Sequence, residues 1–132
     1  MSTIKFLGKS YVRPVAPTTA TVVNNVHTCD FDDNNNFKVN LNNATSWIQL
    51  HSSDAAGHEG LAGTIVITNP SSVGSLSISI RVGSSGGSSI KTPGGSAISF
   101  NTSANVIHIV SYYVHASDKV LINYIGEFDS QG

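Results

Sequence analysis

Residues 106–125 read Val-Ile-His-Ile-Val-Ser-Tyr-Tyr-Val-His-Ala-Ser-Asp-Lys-Val-Leu-Ile-Asn-Tyr-Ile. Apolar and aromatic residues dominate the run from Val106 to Val114, a short polar turn follows at residues 116–119, and a second apolar run occupies Val120 to Ile125. Two β-rich runs separated by a polar turn are typical of an antiparallel hairpin. The stretch therefore predicts a β-ribbon near the end of the chain.

The first strand of this predicted ribbon carries apolar residues on both faces. Successive side chains of a strand point to opposite sides. One face thus carries Val106, His108, Val110, Tyr112 and Val114, and the other carries Ile107, Ile109, Ser111, Tyr113 and His115. A sheet in a small antiparallel domain normally buries one face and leaves the other in water. We therefore predict that another sheet or another subunit covers the second face, and that the protein self-associates.

Short packing and turn motifs surround this ribbon. They comprise Pro93–Gly95, Ser103–Asn105, Val110–Val114 and Ile125–Phe128, and, further upstream, Phe37–Leu41, Asn42–Thr45 and Gly63–Thr68. Together they resemble a β-module of tail fibres and other virion structural proteins of bacteriophages, over roughly two thirds of the chain. The resemblance implies a structural role in a virion. Fibre proteins with such modules are usually long, whereas here the module follows a short N-terminal segment, so we expect a small accessory virion protein.

The composition of the chain favours contact with neighbouring proteins. Its 132 residues fit one domain. Charged residues make up 11% of the chain, against about 25% in ordinary soluble domains, and fewer charges need partners when such a surface is buried. A net charge of -1 predicts neither a nucleic acid nor a membrane partner. Because no run is apolar enough for a membrane span or a secretion signal, we expect assembly in the host cytoplasm.

The N-terminal segment differs from the rest in charge. Lys5, Lys9 and Arg13 are its charged residues and no acidic residue precedes Asp30, whereas the remainder of the chain is net acidic. Pro14 and Pro17 interrupt regular hydrogen bonding. We predict an extended basic arm over residues 1–19 that lies across an acidic partner surface, followed by a single domain over residues 20–132; a frayed terminus is the alternative.

Short β-type segments recur along the rest of the chain at spacings of about ten residues. The predicted strands are Thr21–Val26, Phe37–Leu41 with Trp47–Leu50 as its partner, Gly63–Thr68, the alternating run around Leu76, Ile78 and Ile80, and Ala97–Phe100. Residues 51–61 are expected to form a long loop. Since helical periodicity is almost absent, the pattern predicts an all-β fold, an antiparallel β-sandwich or jelly roll.

Two groups of residues offer metal-binding side chains. Asp30, Asp32 and Asp33 could supply oxygen ligands to a hard cation, but the segment lacks the Gly and the distal Glu of the helix-loop-helix calcium motif, which favours a polar turn. His51, His58 and Glu59 match neither a helical zinc pair nor a pair on one strand face. We predict exposed loop residues there, and no metal or cofactor.

Motifs for catalysis are not recognisable in the sequence. No serine lies in a nucleophile elbow, and the Gly/Ser run at residues 83–89 lacks the ending of a phosphate-binding loop. His108 is expected to be a hydrogen-bonded core or interface residue. Cys29 stands alone, which excludes an internal disulfide and favours a small buried hydrophobe. We predict that the protein is not an enzyme.

Four aromatic residues are candidate interface anchors: Trp47, Tyr112, Tyr113 and Tyr124. Ordinary core filling is the alternative for each of them. Because Tyr112 and Tyr113 point to opposite faces of one strand, at most one of them can fill the core of the domain. The other is the predicted anchor.

These observations predict a non-enzymatic structural protein of a phage virion. The predicted role is a capsid decoration (cement) protein, a homotrimer that binds the major capsid protein and copies of itself. The alternative is a tail-fibre or tail-tip module that binds a host surface glycan. A third reading, a small hydrolase, would require His51, His58 or His108 to gather with acidic residues in one pocket.

Overall fold

The computed structural model of the protein describes residues 16–84 and 89–131. Ten strands and one short 3-10 turn at Pro93–Gly95 make up its regular structure over these ranges. The strands are β1 (Thr18–Thr19), β2 (Thr21–Val23), β3 (Val26–Cys29), β4 (Phe37–Asn40), β5 (Thr45–Leu50), β6 (Ala62–Thr68), β7 (Ser77–Val82), β8 (Ile90–Lys91), β9 (Ile107–Ala116) and β10 (Lys119–Phe128). The predicted all-β class is confirmed.

The strands form two mixed sheets. The larger has the order β1-β4-β6-β9-β10-β8 and the smaller has the order β2-β3-β5-β7. Five of the eight strand pairs among the described residues are parallel. The prediction of antiparallel sheets is therefore wrong.

The parallel pairs arise because the chain alternates between the sheets from β3 to β7. β3, β5 and β7 lie in the smaller sheet, while β4 and β6 lie in the larger one. A strand in the opposite sheet lies between each two successive strands of one sheet, and the chain returns to that sheet running in the same direction as before. The pairs β3–β5, β4–β6 and β5–β7 are therefore parallel. The predicted pairing of Trp47–Leu50 with Phe37–Leu41 is also wrong, since these segments lie in different sheets.

A tight turn divides the predicted strand Thr21–Val26 in two. Asn24 and Asn25 both have positive φ, 50° and 62°, which suits the two-residue turn of a β-hairpin and which asparagine tolerates better than most residues. β2 and β3 consequently pair in antiparallel fashion. The Asn-Asn pair was the available signal for this turn.

The C-terminal hairpin has the predicted form. β9 and β10 pair in antiparallel fashion on either side of the turn at Ser117 and Asp118. A register shift between Tyr124 and Gly126 marks a bulge at Ile125. β9 also pairs with β6 on its other side, so the hairpin belongs to the larger sheet.

One hydrophobic core receives side chains from both sheets. It includes Cys29, Ile48, Leu50 and Val82 from the smaller sheet and Phe37, Val39, Ile65, Ile67, Val110, Val114, Val120 and Ile122 from the larger. Cys29 is fully buried, as predicted, and burial raises the pKa of its thiol to about 12. The thiol is therefore a packed hydrophobe at neutral pH.

The ends of the larger sheet differ from the sequence prediction. Ala97–Phe100 is not a strand; Ile98 and Phe100 pack against the core from an irregular segment, and Ile90–Lys91 pairs with β10 instead. Thr18 and Thr19 pair with β4, so the sheet begins before residue 20. The strand at Gly63–Thr68 and the loop at residues 51–61 are confirmed.

Within the described ranges, no helix has the length and apolar character needed to cross a membrane.

Candidate interaction surface

The hairpin of β9 and β10 has one buried face and one exposed face. Val110, Val114 and Ile122 point into the core and are fully or almost fully buried. Their sequence neighbours point the other way, out of the larger sheet. Five large apolar residues on this strand pair are 37–54% exposed: Ile107, Tyr113, Leu121, Ile125 and Phe128. We call these five residues the outer patch.

The strand register brings members of the outer patch side by side. Tyr113 is directly opposite Leu121, and Ile107 is directly opposite Phe128. The bulge at Ile125 shifts the register so that Phe128 returns to the side of Ile107. Without this shift, side-chain alternation would place Phe128 on the opposite face of the sheet from Ile107. The sequence predicted the β9 half of the patch but not the participation of Phe128.

A groove of about 400 Å³ lies beside Tyr113 and Leu121. Its lining also includes Lys91, Pro93 and Asn123. The groove therefore places a few polar groups next to an apolar floor, as binding sites commonly do.

The edge of the sheet next to the outer patch is only partly paired. β8 pairs with Val120 and Leu121 of β10, and over the described residues no strand pairs with the remainder of β10 on that side. An unpaired strand edge presents backbone donors and acceptors to another chain. Apolar surface and an open edge are thus contributed by the same strand.

Tyr112 and Tyr113 divide between core and surface as predicted. Tyr112 is buried, and its hydroxyl donates a 2.6 Å hydrogen bond to the carbonyl oxygen of Asn35. Burial raises the pKa of Tyr112. Tyr113 lies in the outer patch. At most one of the pair fills the core, and Tyr113 is left as the candidate anchor.

Tyr124 takes part in a hydrogen-bonded chain rather than in the outer patch. The Nε2 atom of His108 lies 2.9 Å from the carbonyl oxygen of Asn101, which can only accept, so Nε2 carries the proton. Nδ1 therefore accepts a 2.8 Å hydrogen bond from the Tyr124 hydroxyl. Burial lowers the pKa of His108. The prediction of a hydrogen-bonded core histidine is confirmed.

Trp47 lies in the other sheet, away from the outer patch. The guanidinium carbon of Arg81 sits 4.9 Å from the centre of its ring, and Arg81 donates two hydrogen bonds to Oε1 of Gln49. A second groove, of about 390 Å³, runs between Trp47 and Phe100. Trp47 is half-buried and held in place by a cation–π contact.

The acidic turn and the two loop histidines come together in the structure. Oδ1 of Asp30 accepts the Asp32 amide proton at 2.9 Å, as expected for a polar turn. His51 is buried, so the prediction that it is exposed is wrong; the end of β5 packs it against Phe31, with ring centres 5.5 Å apart. His58 is half-buried and its Nε2 lies 3.2 Å from Oδ1 of Asp32.

The other predicted residues are placed apart from this cluster or outside the structure. Glu59 accepts a hydrogen bond from Gly57 within its own loop. His108 contacts Phe100 and Tyr124 instead of the other histidines. Lys5, Lys9 and Arg13 lie outside the described residues.

Comparisons with models of protein families, with curated proteins and with solved structures find no match to this chain.

Proposed function

We propose that the protein is a non-enzymatic structural component of a phage virion that assembles with copies of itself through the outer patch. The observation that supports this proposal is the apolar, half-exposed outer face of β9 and β10. Large apolar side chains clustered on one face of a sheet are typical of a surface that another protein covers. Tyrosine is enriched at the energetic centre of such contacts, which is the role we assign to Tyr113.

A second copy is the occupant that the surface favours. Over the described residues, β10 beyond Leu121 has an open edge that adjoins the patch, and an exposed edge pairs readily with the edge of another strand. We propose a homotrimer.

We further infer that the two sheets form a β-sandwich. Its jelly-roll topology remains a prediction. Residues 1–15, with Lys5, Lys9 and Arg13, would extend from this body as the basic arm. In the proposed role the body sits on the shell, and the arm reaches an acidic surface of the major capsid protein or of a neighbouring copy. The protein would be made in the host cytoplasm and reside in the virion.

The mechanism would be the addition of buried apolar area at many sites. Each contact removes apolar surface from water at about 25 cal/mol per Å². Contacts repeated over many copies act together, since one attached module raises the effective concentration of the next. A shell covered in this way resists internal pressure better than its bare form.

Self-association is tested by the mass of the full chain in solution. Sedimentation velocity should give an oligomer for the unaltered protein and a folded monomer for Tyr113→Asp and Leu121→Asp. Val22→Asp is the matched control, because Val22 is an exposed apolar residue of the smaller sheet. The proposal fails if the unaltered chain stays monomeric at high concentration, or if Val22→Asp dissociates it equally.

The virion role is tested by composition and binding. Mass spectrometry of purified virions of the encoding phage should give many copies per head, and added protein should bind bare shells. Deletion of residues 1–15, which keeps β1, should abolish that binding while the body stays folded. Normal decoration by this variant would contradict the arm hypothesis.

A tail-fibre or tail-tip module that binds a host surface glycan is the second candidate. The groove beside Tyr113 favours it, because an exposed aromatic ring next to polar groups such as Asn123 suits a sugar. A low copy number in purified tails, together with glycan binding that Tyr113→Ala removes, would replace the decoration role by this one.

A further inference from the structure

Three metal-binding side chains from separate parts of the chain meet at one end of the smaller sheet. Asp32 lies in the turn after β3, His51 directly follows β5, and His58 lies in the loop before β6. One ligand atom from each lies within 4.8 Å of the other two. We propose that these three residues bind a divalent transition metal of the zinc class.

The two imidazole rings are held by an aromatic floor. Phe31 is buried, stacks on His51 at a ring separation of 5.5 Å, and meets His58 edge-on at 5.7 Å. Phe31 also stacks on Tyr112, with ring centres 5.4 Å apart. The ring centres of His51 and His58 are 4.7 Å apart. Packing of this kind fixes side-chain positions before a ligand arrives, which lowers the cost of binding.

The contacts of His51 determine which of its nitrogens is available. Nδ1 accepts a 3.2 Å hydrogen bond from the Phe31 amide N–H and lies 3.3 Å from Oδ1 of Asp30, so the proton of the neutral ring is on Nε2. Binding of a metal at Nε2 would move this proton to Nδ1, which would then donate to Asp30 in place of accepting from Phe31. A carboxylate that holds the far side of a ligating imidazole is the usual outer partner in zinc sites. Asp30 is thus a positioning residue.

The ligand set favours zinc-class metals over hard cations. Imidazole suits Zn²⁺, Co²⁺ and Ni²⁺, whereas Ca²⁺ and Mg²⁺ take oxygen ligands. Two histidines and one carboxylate are a known zinc set that leaves a fourth position for water or another ligand.

Small movements would complete the site. Bonds of about 2.0–2.1 Å place tetrahedral ligand atoms roughly 3.4 Å apart, and Nε2 of His58 is already 3.2 Å from Oδ1 of Asp32. His51 and His58 would move closer together by adjustment of the loop that joins them. The bound metal would fasten this loop and the Asp30–Asp33 turn to the end of β5.

The spacing of residues in the sequence does not predict this arrangement, because Asp32 lies in a different turn from the two histidines. The histidines alone match no zinc pattern, and Asp32 approaches them only through the parallel pairing of β3 with β5. The inference is independent of the proposed virion role, since none of the three ligands belongs to the outer patch.

The test uses the full untagged chain after treatment with a chelator. Calorimetric titration with ZnCl₂ should show one site per chain, and Co²⁺ should give the visible absorption of a tetrahedral complex. His58→Asn and Asp32→Asn should each weaken binding more than tenfold, and Asp30→Asn by about tenfold. These positions suit the test because the side chains of His58 and Asp32 are 19% and 70% exposed, so the variants should still fold.

Two matched variants control for non-specific binding. Asp33→Asn alters the neighbouring carboxylate of the same turn, and His115→Asn alters an exposed histidine of β9; both should bind zinc within twofold of the unaltered chain. Zinc should raise the melting temperature of the unaltered chain and of both controls, but not of His58→Asn. No binding by the unaltered chain, or unchanged binding by folded His58→Asn, would overturn the proposal.

Discussion

The inner and outer faces of the C-terminal hairpin are built from alternate residues of the same two strands, yet they have different consequences. The inner face contributes Val110, Val114 and Ile122 to the core shared by both sheets. The outer face leaves Tyr113 and Leu121 half-exposed. Similar side chains therefore stabilise the fold on one side and remain available for a partner on the other. Adjacent positions in the sequence provide matched pairs that test this difference.

The largest contrast is expected between Ile122→Ala and Leu121→Ala. Ile122 is 2% exposed and Leu121 is 41% exposed. Truncation of a buried isoleucine leaves a cavity and costs about 3 kcal/mol of the free energy of unfolding, whereas an exposed substitution changes it by less than about 0.5 kcal/mol. Urea unfolding of both variants, at concentrations where the chain is monomeric, measures the difference. Equal losses would contradict the division between the two faces.

Two glycines give the next contrast. Gly63 pairs with Tyr112 on the inner side, and a Cβ there would overlap the carbonyl oxygen of Asn35. Gly126 is opposite Ile109, and a Cβ there would meet nothing within 4 Å. We expect Gly63→Ala to cost about 2–3 kcal/mol through backbone displacement.

Gly126→Ala serves as the control in the same unfolding experiment. It should be neutral or gain up to about 1 kcal/mol, because alanine loses less backbone entropy than glycine. A neutral Gly63→Ala would mean that the Asn35 turn is free to move away from β6.

The neighbouring tyrosines should differ by a smaller amount. Tyr112→Phe removes the donor of the 2.6 Å hydrogen bond to Asn35, which we expect to cost about 1–2 kcal/mol because the carbonyl loses its partner. Tyr113→Phe removes an exposed hydroxyl and should leave the free energy of unfolding unchanged. Thermal and urea unfolding compare the two; a larger loss for Tyr113→Phe would contradict the assigned orientations.

The last contrast concerns the pH dependence of stability. Burial lowers the pKa of His27 and of His108, and neither ring nitrogen of His27 has a hydrogen-bond partner among the described residues. As the pH falls, these histidines therefore bind protons more readily in the unfolded chain than in the folded chain. Stability is retained above the unfolded pKa of about 6.5 and falls as the pH drops below it, by at most about 1.4 kcal/mol per pH unit for each histidine.

Two variants assign this dependence. His27→Leu should reduce the loss of stability between about pH 7 and about pH 5. His115→Asn, on the outer face, should leave it unchanged. Urea unfolding at several pH values measures both slopes, and an unaltered slope in His27→Leu would show that this histidine is not protonated on unfolding.

Local sequence patterns determined the hairpin, the strand at Gly63–Thr68, the buried state of Cys29 and the opposite orientation of Tyr112 and Tyr113. These features depend on the side-chain alternation of a single strand and on the residues of a single turn. The outer patch was partly predictable for the same reason. Phe128 belongs to the outer patch only because of the bulge at Ile125, and side-chain alternation does not predict this bulge.

Apart from the two hairpins, tertiary structure alone decided which strands pair, and in which direction. β4 and β5 follow each other in the chain but lie in different sheets, because a strand pattern shows which face is apolar and does not show which neighbour covers it. The same holds for Asp32, His51 and His58. Asp32 and His51 meet because β3 and β5 align in parallel, and His58 reaches them from the loop before β6. Side chains distant in sequence therefore meet only in the folded chain.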